Sequence, residues 1–377
     1  MIGLMYIMLY TKRKNLGSNM HNMRIAFDIS PLESGHKIRG IGFYTRNLAL
    51  ELKKVIKKTG WSLNEVNLQT GKKQSIIYDL IHYPYFDLFF ISLPLFKAAK
   101  LVVTIHDITP LLYPRDYPPG IKGKIKFQIQ KFLLKKIDAV ITDTKTSKDD
   151  IVKYLGYPEA KIYPIYLGTD KRFVKTQNLK RYNQLRKRYN LPKKFVLYVG
   201  DVNPNKNLVR LANACKLIDS TLVIAGKQAI IEDFDKQHPE MKMWTEFLSK
   251  YKSDPDIKRL GYVEDEELVG LYNCASVYCQ PSLYEGFGLP VLEAMSCGCP
   301  VVCAKTPALE EIAGDAALFA NPYSSRNIAS KLANVLEESK IKNTLITKGY
   351  KNIQRFSWEK CARETLDVYK KVLIYKY

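Results

Sequence analysis

At 377 residues the chain is too long for one comfortable hydrophobic core, so two domains of about 150–200 residues are expected. Hydrophobic residues make up 46% and charged residues 25%, which excludes disorder as the default reading. A net charge of +22 calls for an anionic partner: nucleic acid, acidic lipid headgroups or a phosphorylated small molecule.

The first stretch, MIGLMYIMLYTKRKNLGSNMHNM, has an apolar run of about ten residues, too short to span a bilayer. It lacks a small-residue cleavage site. Residues 1–22 therefore read as a disordered extension, with Met20 or Met23 as an alternative start; a short membrane-surface anchor is the sharper alternative. From Met23, MRIAFDIS predicts a strand. Gly40 and Gly42 follow in a glycine loop, and then a helix with Tyr44, Leu48, Leu52 and Val55 on one face. Strand, glycine loop and helix is the layout of a phosphate-facing βα unit. SIIYDLIHYP, LVVTIHDITP and DAVITDT predict further strands. They are apolar throughout, as strands covered on both faces are, and their alternation with helices predicts a parallel sheet. The first domain is thus expected over 23–170.

DKRFVKTQNLKRYNQLRKRYNLPKK, residues 170–194, is charged and free of β-branched runs, and 171–194 reads as a helical connection. A second βα series over 195–355 runs through FVLYVG, STLVIAG, KRLGYV, ASVYCQPS, CPVVCAK and AALFANP. Residues 356–377 predict a helix returning to the first domain. The expected fold is α/β, two Rossmann-like domains facing a cleft. Polar residues after strands mark the site: Gly40 and Gly42, His106 with Asp107, Asp201 to Lys206, Gly226 with Lys227, and the loop at Glu285.

In that loop, PSLYEGFGLPVLEAMSCGCPVV, Leu289-Pro290 begins a helix, with proline suited to its first turn, and Gly298 caps its end. First-turn N–H groups facing Gly286-Phe287-Gly288 make an anion site. Glu285 and Glu293, the latter expected in the first turn, bracket the anion. Acids beside a phosphate are repulsive unless they accept hydrogen bonds from the ligand's hydroxyls. A sugar on one side of the phosphate and a ribose on the other satisfy that need.

This stretch closely resembles the E-x7-E region of retaining glycosyltransferase family 4 enzymes of GT-B fold. RGIGFYTRNL, VTIHDITPLLYP, YVGDVNPNKNL, LGYVEDEELVGLYNCASVYCQPS and FSWEKCARETLDVY resemble their other segments, in the family's order. The resemblance implies that Glu285 and the backbone of Gly286, Phe287 and Gly288, beside Leu289, hold the donor sugar. It implies that Glu293 takes the ribose, Lys206 the diphosphate, and Gly40 and Gly42 the phosphates through backbone N–H groups. His106 would lie beside the reacting sugar, and Tyr262 and Val263 would border the base. Where the family commonly has a second cation, this chain has Asp201 and Asn205, leaving Lys206 alone or with Arg210.

The resemblance further implies hexose transfer with retention by same-face attack, the departing phosphate acting as base. The sequence forms look most like mannosyltransferase-type members, so GDP-mannose is the expected donor, with UDP-hexoses open; a glycan or lipid-linked glycan is the expected acceptor. No cofactor and no metal are expected: Asp233-Phe-Asp235 and Asp254-Pro-Asp256 fall in polar surface segments, and the seven cysteines fit no standard zinc spacing. Their odd number without a secretory signal points to reduced thiols and a cytoplasmic chain. Lys122–Lys136, in IKGKIKFQIQKFLLKK, reads either as a helix with one solvated face or as a basic amphipathic surface for anionic lipid at the inner face of the membrane. The rival readings are a GT-B nucleotide-sugar epimerase or phosphorylase, and a basic nucleic-acid-binding protein. No nucleic-acid-binding motif supports the latter.

Overall fold

The computed structural model describes residues 22–35, 40–68, 76–176 and 179–374. Of the extension expected over residues 1–22, residues 1–21 lie outside the described residues. The chain forms two compact units.

The first unit contains the described residues up to Leu112, then Pro119–Gly168 and Ser357–Ile374. Its sheet comprises β1 (Arg24–Asp28), β2 (Ser62–Val66), β3 (Leu80–Tyr83), β4 (Lys100–Thr104), β5 (Ala139–Thr142) and β6 (Ile162–Pro164), in spatial order β2-β1-β3-β4-β5-β6. Every pairing is parallel. The central strands β3, β4 and β5 are almost wholly buried, which is why they read as unbroken apolar runs. The C-terminal helix Trp358–Ile374 belongs to this unit through polar as well as apolar contacts. The Tyr369 hydroxyl and His82 Nδ1 are 2.6 Å apart. A Cβ on Gly168 would lie 2.1 Å from the Trp358 amide nitrogen, so only glycine lets the chain pass there.

The second unit contains Tyr113–Pro118 and Thr169–Phe356. Residues 113–118, expected inside the first domain, therefore group with the second. Its sheet comprises β7 (Val196–Val199), β8 (Leu222–Ala225), β9 (Ile257–Gly261), β10 (Val277–Gln280), β11 (Val301–Ala304) and β12 (Ala317–Ala320). The spatial order is β12-β11-β10-β7-β8-β9, again all parallel. Its core includes Trp244 stacked on Phe247 at 4.7 Å. The stretch 171–194 forms a helix over Leu179–Arg188 that packs within this unit rather than standing apart as a connector: Leu185 lies against Gly270, and the Tyr189 hydroxyl donates to Glu267 Oε2 at 2.6 Å. Two parallel six-stranded sheets with helical crossovers are the α/β fold the sequence predicts.

Candidate active site

The second sheet runs from β7 to β8 and β9 on one side and then to β10, β11 and β12 on the other, so its order reverses between β7 and β10. Ligands of such sheets bind beyond the carboxyl ends of the strands at that point. The turn Pro204–Lys206 follows β7, and the Glu285 loop follows β10. Lys206 Nζ donates to both oxygens of Glu285, at 2.7 and 2.9 Å. Gln280, the last residue of β10, donates to Glu285 Oε1 at 2.8 Å. The lysine and glutamate side chains are only 19% and 11% exposed, so each charge depends on the other for solvation.

Asn205 holds these two segments together. Its carbonyl accepts from the Leu283 amide at 2.7 Å, and its Nδ2 donates to the Tyr284 carbonyl at 3.0 Å. Its Oδ1 accepts from the Tyr117 hydroxyl at 2.6 Å, and Tyr113 donates its hydroxyl to the Leu283 carbonyl at 3.1 Å. Sequence reasoning treated Asn205 only as a missing cation. The structure makes it a buried clamp whose amide is committed to backbone and tyrosine. Arg210 donates to Asn207 Oδ1 at 2.9 Å and lies over the Tyr323 ring at 5.9 Å. On the other side of β7, Gly226 approaches so closely that a Cβ would lie 2.0 Å from the Gly200 carbonyl oxygen.

Gly286, Phe287 and Gly288 lead into the helix Leu289–Ser296, with Gly288 as N-cap at φ +105° and Pro290 in the first turn. Gly298 and Cys299 close its far end by donating to Met295 and Ala294 carbonyls at 3.0 and 2.9 Å. Glu293 departs from its expected place: it is the fifth helical residue, in the second turn, and no acid occupies the first. Its side chain is buried and accepts from the Tyr272 hydroxyl at 2.9 Å. Burial pushes its carboxyl up from the ordinary 4.5 to about 7, Tyr272 pulls it down, and Asp265 and Asp170 push it up again. The folded state therefore holds a proton that the unfolded chain has lost, and stability falls as pH rises from 4.5 to about 7. The expected total is about 3 kcal/mol. Denaturant titrations should show Glu293→Gln lacking this slope and more stable than the parent above neutrality; a parallel loss in both proteins would contradict it.

Tyr262 and Val263 follow β9, the former half exposed and the latter buried. Lys216 lies between Asp254 and Asp256, at 3.1 and 2.9 Å, so both acids of that Asp-x-Asp pair already engage a lysine. Among the described residues no group of three or more metal-ligating side chains converges.

The first unit carries its own polar centre. Gly40 and Gly42 are not a loop before the helix: they are its first turn, because the helix runs Gly40–Ile56. His106 follows β4. Its Nδ1 faces Asp143 Oδ2 at 2.8 Å and its Nε2 faces the Pro84 carbonyl at 3.1 Å. Both ring nitrogens are thus engaged, one by a carboxyl group and one by a backbone carbonyl. Burial opposes a charge on the ring, but the Asp143 carboxylate overrides it and His106 is held above its ordinary pKa. Asp107, beside it in sequence, instead accepts from the Thr109 amide at 2.8 Å. Asp143 was missed; its signal was an acid directly after the apolar run DAVIT. The edge of Tyr44 rests on His106 at 4.6 Å, and its hydroxyl meets Thr104, which in turn meets His82.

Residues 182–352 match the family described as Glycosyl transferases group 1, and residues 67–173 match Glycosyltransferase Family 4. O-antigen chain mannosyltransferase B of Escherichia coli is 30% identical over 73% of this chain and 71% of its own length. The chain is a group 1 glycosyltransferase. A second relative of this glycosyltransferase, the serotype-specific mannosyltransferase WbdA of Escherichia coli, is 24% identical over 76% of this chain, which spans only 35% of WbdA. Among solved structures, sucrose-phosphate synthase from Thermosynechococcus elongatus superposes with TM-score 0.69 at 19% identity, covering 93% of this chain and 98% of that one. Anabaena Alr3699/HepE in complex with UDP and glucose gives 0.68 at 18% identity, covering 93% and 100%. These likenesses establish the GT-B glycosyltransferase fold.

Proposed function

We propose that the glycosyltransferase moves mannose from GDP-mannose to a glycan or lipid-linked glycan acceptor, with retention and without a divalent metal. The observation that carries this reading is the Lys206–Glu285 pair at the reversal of the second sheet. A cation and a carboxylate side by side suit the two charges of glycosyl transfer. Lys206 stabilises the departing diphosphate, and Glu285 accepts from sugar hydroxyls and stabilises the positive sugar. The departing phosphate takes the acceptor proton during same-face attack. Lys206 supplies charge that a metal supplies in other transferases. The Gly286–Gly288 backbone lines the sugar, Glu293 serves the ribose, Tyr262 and Val263 border the base, and the Gly40–Gly42 turn serves the phosphates. His106, held in place by Asp143 and the Pro84 carbonyl, lies beside the reacting sugar. Mannose is favoured by the names of the relatives above. The working place is the cytoplasmic face of a membrane carrying the acceptor, with Lys122–Lys136 toward anionic lipid.

Nucleotide sugars are the direct test. GDP-mannose should raise the Tm more than UDP-glucose does, by an amount that grows with the logarithm of its concentration. With acceptor and excess chelator it should yield an α-linked mannoside. Stabilisation by UDP-hexoses alone would overturn the donor, a β-linked product would overturn retention, and loss of turnover in chelator would overturn metal independence.

A further inference from the structure

The helix Gly120–Leu134 turns four large apolar residues outward. Ile121, Ile125 and Phe132 are 81%, 58% and 61% exposed, and Ile129 is 36% exposed. At about 100° per residue these four occupy one arc of about 80°. The buried residues Gly123, Gln130 and Leu134 lie on the opposite side, with buried Leu133 between them and the stripe. Lys124, Lys131 and Lys135 flank the stripe on one side, Lys122 and Lys126 on the other. The sequence predicts a core face and a basic solvated face; the structure adds an apolar stripe within the solvated face.

A second element extends it. The loop before β4 exposes Phe90 and Phe96, at 63% and 81%. It is fastened to the helix by buried Gln130, whose Nε2 donates to the Asp87 carbonyl and Ser92 hydroxyl, both at 2.7 Å, and whose Oε1 accepts from the Leu93 amide at 3.3 Å. Lys136 Nζ donates to the Leu95 carbonyl at 3.0 Å, and Lys126 Nζ sits 4.5 Å over the Phe90 ring. A soluble surface rarely gathers so many large apolar side chains without a partner.

We infer that this helix stripe and loop insert into the acyl boundary of an anionic bilayer while the flanking lysines engage its headgroups. The occupant follows from charge. A second copy would bring two sets of lysines together, whereas anionic lipid neutralises them. An apolar stripe between lysine rows is the arrangement of a helix lying in the interface, its lysine stems reaching up to the headgroups. This rests on the membrane-side acceptor reading above, but goes beyond electrostatic adsorption to apolar insertion.

The test is flotation of the full chain with vesicles of equal parts phosphatidylcholine and phosphatidylglycerol. Ile125→Ser/Phe132→Ser/Phe96→Ser should bind about tenfold more weakly or worse. The parent should keep a bound fraction at ~1 M salt, where headgroup attraction is screened. Lys122→Glu/Lys126→Glu should lose binding chiefly at low salt. Parent binding that vanishes at high salt, or a triple serine variant that floats like the parent, would overturn insertion. So would a concentration-dependent dimer abolished by the serines, which would assign the face to a second copy. Transfer to a soluble acceptor is measured beside flotation. Its absence with intact insertion would fail the proposed function alone, and unchanged transfer by the serine variants is expected because these residues lie outside the donor site.

Discussion

Glu285→Gln is expected to lower kcat/KM by about 10²–10³, the loss typical of removing one preorganised charge from a transition state. The same variant should bind GDP at least as tightly as the parent. In the parent both oxygens of Glu285 engage Lys206, and that attraction competes with a diphosphate for the lysine; neutralising the carboxylate removes the competition. The two effects in opposite directions separate a catalytic carboxylate from one that merely supports the loop, since loosening the loop would weaken GDP binding too. Lys206→Ala should lose turnover and GDP affinity together. It should also lower stability by about 1–3 kcal/mol, because it leaves Glu285 largely buried without its cation. Turnover by Glu285→Gln near that of the parent would end the assignment.

Asn205→Ala should cost about 10² in kcat/KM although its amide is committed away from any ligand. Small displacements of a positioned group carry such penalties. Asn205 bonds to Leu283 and Tyr284, the residues just before Glu285, while Lys206 is its neighbour in the chain. The Leu283 bond is to the Asn205 backbone carbonyl and survives; removing the amide deletes the Tyr284 bond and loosens the turn against the loop. Losing the amide's bonds with both the Tyr284 carbonyl and the Tyr117 hydroxyl should lower stability by about 1–3 kcal/mol. Tyr117→Phe deletes one of these bonds and should cost about 1 kcal/mol, with a measurable coupling to Asn205→Ala in a double-mutant cycle. Full activity in Asn205→Ala, at a temperature where it is folded, would show that the clamp does not position the pair.

The two halves of the fold were unequally legible. All six strands of the second unit were apparent in sequence, most plainly β7, β8, β10 and β11, which are short apolar runs with β-branched residues covered on both faces. In the first unit β2 and β6 escaped notice. β2, SLNEV, is a half-exposed edge strand with no buried residue, and β6 is three residues ending in proline. Edge strands lack the burial that makes a strand audible in sequence. The helix Gly120–Leu134 carries apolar residues on both sides, so periodicity could not say which side the core would take.

Local chemistry was within reach of the sequence alone: the strand-turn-helix units, the acids of the Glu285 stretch, the proline and glycine that start and end its helix, and the lysine after β7. These depend on residues a few positions apart, where backbone geometry is set by neighbouring side chains. Partner choice was not within reach. Lys206 meets Glu285 across 79 residues, Tyr117 meets Asn205 across 88, and His106 meets Asp143 across 37. Such meetings are decided by strand order, which brings particular loops to one edge of a sheet. The same tertiary packing buried Glu293 and turned Asn205 from an absent cation into the tie between two loops, because burial and hydrogen-bond commitment are properties of the surroundings a side chain receives, and those surroundings are built from distant parts of the chain.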